Sequence, residues 1–67
     1  MRKYDFIIVS KNDRVLKRIT EIVLPVDKAC IYAEGLLQGV RALQSFARVQ
    51  IFKYDENNAP KLVAVKG

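Results

Sequence analysis

The spacing of apolar residues changes along the chain, and that change predicts the elements. The stretch "KYDFIIVSK" (3–11) is rich in strand formers and short enough to be one strand. "KND" at 11–13 is turn chemistry, because Asn and Asp accept left-handed backbone and bond their own main chain. From Pro25 to Phe46 the pattern is helical. Pro25 stops what precedes it, Asp27 charges the first turn, and the interior is rich in Ala and Leu. At 100° per residue, Asp27, Glu34, Gln38, Arg41 and Ser45 share a polar stripe about 80° wide, and nearly everything else is apolar or small. "ARVQIFKYD" (47–55) alternates as a strand, with Arg48, Gln50, Phe52 and Tyr54 on one face and Val49, Ile51 and Lys53 on the other. "DENNAP" is a polar turn, and "KLVAVK" (61–66) is a short strand that pairs antiparallel with 47–55.

Residues 14–24 are ambiguous. On a helix, Val15, Leu16, Ile19, Ile22 and Val23 fit an arc of about 120°, opposite Arg14, Lys17, Arg18 and Glu21. On a strand, neither alternate set is cleanly apolar. Against the helix stands the β-branched character of Val15, Ile19, Thr20, Ile22 and Val23, which suits a pleated surface. The first strand also needs a neighbour, and a short connection supplies one. A bulge near Arg18–Ile19 would bring both ends of the segment into phase with a buried face. The favoured reading is therefore an α+β domain of order ββαββ: a four-stranded antiparallel sheet with one long helix on one face. The alternative is βααββ, which echoes a winged helix with "DENNAP" at its wing tip.

Length bounds what such a fold achieves. Sixty-seven residues make one domain, 1–67, which buries only about 60% of the surface its unfolded chain exposes. A hydrophobic content of 51% argues against disorder, and the single cysteine, Cys30, excludes an internal disulfide. Cys30 falls on the apolar flank of the helix and reads as a buried structural thiol. No signal-peptide pattern is recognisable in "MRKYDFIIVSK", because Asp5 interrupts its apolar run, and Phe6–Val9 is too short to span a membrane. A reducing cytoplasmic setting, with no membrane association, is the expectation.

Charge and chemistry narrow the function classes. With 12 Lys and Arg against 7 Asp and Glu, the net charge of +5 favours nucleic acid or acidic protein surfaces, although solubility alone would explain it. The absence of histidine leaves Cys30 without a base, and no spacing resembles a metal site or a phosphate loop. An enzyme, a cofactor, a metal and a small-molecule substrate are therefore not expected.

Two surfaces remain. The helix is apolar over about 280°, wider than one sheet covers, so Leu36 and Leu43 beside the smooth patch of Gly35, Gly39 and Ala42 are the expected contacts for a protein partner or a second copy. The alternative is nucleic acid. Arg48, Gln50, Phe52 and Tyr54, joined by Tyr4 and Phe6 with Lys53, Lys61 and Lys66 nearby, would stack bases and meet phosphates. A winged-helix arrangement would instead read duplex through Arg14, Lys17 and Arg18.

The stretch "VLPVDKACIYAEGLLQGVRALQSFARVQIFKYD" combines a strand ending at proline, an Ala-rich helix and a strand. In this it resembles small phage-encoded host-takeover and anti-CRISPR proteins, which pack one helix on an antiparallel sheet. The likeness covers about half the chain and is one of arrangement, so no functional residue carries over. It implies a protein-binding inhibitor or accessory factor from a phage or other mobile element.

Overall fold

The computed structural model describes residues 1–67. β-branched and aromatic residues gather into four strands: β1 Arg2–Val9, β2 Val15–Leu24, β3 Arg48–Tyr54 and β4 Pro60–Lys66. A 3-10 turn, Val26–Lys28, leads into the single helix α1, Ala29–Arg41. The sheet order is β2-β1-β3-β4, with every neighbouring pair antiparallel. This is the expected ββαββ arrangement. Residues 15–24 are a strand, so the winged-helix alternative is excluded and Arg14, Lys17 and Arg18 do not lie on a recognition helix.

The helical look of 14–24 has a structural cause. Between Tyr4 and Phe6 of β1, the partner strand runs from Ile22 to Ile19 and so carries one extra residue, and a second irregularity follows at Leu16. The main bulge lies at Thr20–Glu21, close to the expected Arg18–Ile19, and Glu21 takes a positive φ of 57°. Each extra residue shifts the alternation. Ile19, Ile22 and Leu24 all reach the core side, at spacings of three and two that imitate a helical period.

Both hairpins use one turn plan. In the first, the Ser10 hydroxyl accepts the Asn12 and Arg14 N–H groups, and Asp13 sits at φ 61°. In the second, the Asp55 carboxylate accepts those of Asn57 and Ala59 at 2.9 and 3.0 Å, and Asn58 sits at φ 60°. The Ala59 N–H is the main reason that Asp55 titrates below the usual carboxylate range.

The helix stops at Arg41, short of Phe46. Two N–H groups, those of Leu43 and Gln44, share the Val40 carbonyl, and Ala47 N–H bonds the Gln44 carbonyl, so 42–46 turns the chain back. The turn is required because Ala47, fully buried, must enter the core just before β3 starts.

α1 lies mainly across β3, with β1 and β4 on either side. Its inner row is Ala29, Ala33 and Leu37, one turn apart, against Phe6, Ile8, Val49 and Ile51. Small Ala side chains let the helix sit close while Phe6 fills the space beneath, its ring 4.7 Å from that of Tyr32. Tyr32, Leu36 and Val40 form a second, partly buried row of the helix, and Ile19, Ile22 and Leu24 of β2 are partly buried against the same core.

Candidate interaction surfaces

The alternation that buries Val49 and Ile51 sends Arg48, Gln50, Phe52 and Tyr54 to the face opposite the helix, as expected. Tyr4 and Phe6 do not join them. Tyr4 is 3% exposed and Phe6 wholly buried, both on the helix side, so neither is offered to a ligand. The residues of β1 that do share the open face are Lys3, Asp5, Ile7 and Val9, through the pairs Asp5–Phe52, Ile7–Gln50 and Val9–Arg48. Lys53 lies on the Val49 and Ile51 face, as its place in the alternation requires; it pairs with Tyr4 and Lys61 on the helix side, so it does not serve the face that carries Phe52. Lys66 lies on that side too, 3.6 Å from Glu34 of the helix.

The polar groups of the open face are largely spent on one another. Asp5, buried beneath that face, accepts the Glu21 N–H on Oδ1 and the Tyr54 hydroxyl on Oδ2, both at 2.9 Å. Lys3 bridges this cluster, its Nζ 4.4 Å from the centre of the Tyr54 ring and 3.5 Å from the Glu21 carboxylate. Donating to Asp5 raises the pKa of Tyr54, with burial and the charges of Asp5 and Glu21 adding to the shift. Arg48 is held by Asp13 across the neighbouring turn. Of the sequence-derived cations, Arg18 stands exposed on this face opposite Ile7, Lys17 is on the helix side opposite Ile8, and Arg14 closes the turn.

The helical layer is divided. Leu36 packs partly into the second row of the core, so it is not a free contact. Gly35 and Gly39 have open space beyond them, Ala42 lies exposed past the helix end, and Leu43 is 88% exposed. Ile31 and Phe46 are exposed on the same layer, with Lys11 over the Phe46 ring. Cys30 is exposed rather than buried, because the inner row is set by Ala29 and Ala33 and turns Cys30 toward β4.

Sequence reasoning passed over β4. Leu62, Val63 and Val65 are 52%, 53% and 48% exposed on a strand with only β3 beside it. Val63, the extra residue of a bulge opposite Ile51 and Phe52, lines a shallow groove of about 250 Å³ with Ala64, Ile51, Val26, Ala29 and Cys30. The signal was present: "LVAV" is apolar on both faces, as in strands covered on both sides.

No helix is long and apolar enough to cross a membrane. No protein-family model, curated protein or solved structure matches the chain.

Proposed function

We propose that this chain is a small non-enzymatic docking domain whose partner is another protein. One observation carries the reading: large apolar side chains stand exposed on both layers, Val26, Ile31, Leu43 and Phe46 on the helical one and Leu62, Val63 and Val65 on β4. Exposed apolar area of this kind marks interaction sites when it forms patches. The net charge of +5 favours an acidic partner and speeds encounter with it. The resemblance to phage-encoded inhibitors makes a bacterial macromolecular machine the partner class to test. Single-stranded nucleic acid is less well supported, because Tyr4 is buried, Tyr54 bonds Asp5 and Arg48 bonds Asp13.

The test is affinity capture from bacterial extract, with and without nuclease, using the parent and a Leu43→Asp, Val63→Asp variant. A protein retained in stoichiometric amount after nuclease treatment, and lost with the variant, supports docking. Retention that depends on nucleic acid overturns it.

A further inference from the structure

The two edges of the sheet are built differently. β2 carries two irregularities and the exposed cations Lys17 and Arg18, devices that keep an edge from pairing with other strands. β4 has one bulge, at Val63, and carries Pro60 and its lysines only near the ends, at Lys61 and Lys66, with four apolar residues between them. Those four have the composition of an interior strand, yet β4 pairs on one side alone, leaving a row of backbone N–H and C=O groups unpaired in the chain.

Side-chain space adjoins this edge. The groove between Val26 and Cys30 of the helical layer and Val63 and Ala64 of β4 lies on the helix side of the sheet. A strand added beside β4 would direct alternate side chains toward it and the others toward Leu62 and Val65. Charge marks one end. Lys53 and Lys61 are directly opposite on the same face, an arrangement that is unfavourable unless an anion lies between them. Asp55 takes the two turn N–H groups on Oδ1 and reaches Lys61 with Oδ2, at 3.8 Å, while Lys53 has no carboxylate partner in the chain.

We propose that β4 is an acceptor edge for an extended segment of a partner protein, apolar at alternate positions and bearing a carboxylate at the end against Lys53 and Lys61. The segment adds as a fifth strand: backbone pairing supplies affinity, and the groove and the lysine pair supply selectivity. This deepens the protein-docking reading and rests on it. A second copy is the poorer occupant. The antiparallel register that overlaps all of β4 sets Pro60, which has no N–H to donate, against Lys66 at both ends, with Lys61 of one copy next to Lys66 of the other, and each copy carries +5.

The experiment pans the intact chain against a display library of random peptides and measures the enriched peptides as synthetic ligands. Enriched sequences are expected to alternate apolar and other residues and to end in Asp or Glu. Their binding should slow amide hydrogen exchange along β4. Lys53→Glu with Lys61→Glu should weaken binding about tenfold, and Val63→Asp should weaken it as much again, with circular dichroism unchanged. Peptides that bind without protecting β4, or bind the charge-reversed variant equally well, overturn the edge assignment. If their footprint falls on Leu43 and Phe46, the docking reading survives without it. A concentration-dependent dimer that protects β4 overturns the choice of occupant. Failure to enrich any peptide, with binding of single-stranded oligonucleotides instead, overturns both readings.

Discussion

Asp5 is the only buried charged residue, and its two oxygens serve two elements. One holds the bulged N–H of Glu21 in β2; the other holds the Tyr54 hydroxyl at the end of β3. Asp5→Ala strands both donors in a part-buried site, so the urea midpoint should fall by an amount equivalent to about 1–3 kcal/mol. Tyr54→Phe removes one bond and should cost less. The same pair sets an alkaline response. The fold raises the pKa of Tyr54, so the stability it contributes is complete below about pH 10, where an unfolded tyrosine titrates, and is lost as pH rises through the higher folded value. Thermal unfolding followed across that range should fall more steeply for the parent than for Tyr54→Phe. Equal slopes would mean that Asp5 and Tyr54 are not bonded in solution. Asp5 also held the clue to the faces of β1. A carboxylate alternating with Tyr4 and Phe6 belongs on the side without the helix, which places both aromatic rings in the core.

At the level of elements, the bulge in β2 explains what was legible and what was not. The strands 47–55 and 61–66 and the helix start followed from alternation, turn residues and Pro25. Residues 14–24 did not, because period analysis assumes one unbroken phase, and Leu16 and Thr20–Glu21 each break it. The helix end was hidden for another reason: residues 42–46 keep an apolar helical pattern, and only the burial of Ala47 forces the turn. The bulge is testable by itself. Glu21 holds a left-handed backbone conformation at φ 57°, which costs a residue with a β-carbon about 1–2 kcal/mol. Glu21→Gly should relieve that cost and raise stability by a net of about 0.5–1 kcal/mol after the greater freedom of glycine in the unfolded chain. The ion pair it removes is exposed and contributes little. Thr20→Gly, one position earlier and without a positive φ, should instead destabilise by about 0.5–1 kcal/mol. Urea unfolding of the two variants side by side is the measurement.

The whole molecule is thin. Its Cα frame measures 35 × 20 × 15 Å, room for one sheet, one helix and a single apolar layer between them. The largest fully buried side chains in that layer are Phe6, Ile51 and Val49. A chain of 67 residues has a total stability of about 3–10 kcal/mol. Phe6→Ala removes the ring under Tyr32 at a cost of about 3–5 kcal/mol, so that variant should be largely unfolded at 37 °C, with its near-ultraviolet circular dichroism lost. The exposed apolar residues obey a different rule. Leu43→Asp changes a side chain that is 88% exposed and should move the unfolding midpoint by no more than about 0.5 kcal/mol. Val63→Asp should behave similarly if the β4 edge is open. These residues then contribute almost nothing to the monomer's own stability, and their apolar character serves contact with something else. A loss for Leu43→Asp or Val63→Asp comparable to that of Phe6→Ala would mean the chain covers those side chains itself, and the case for docking through them would fall with it.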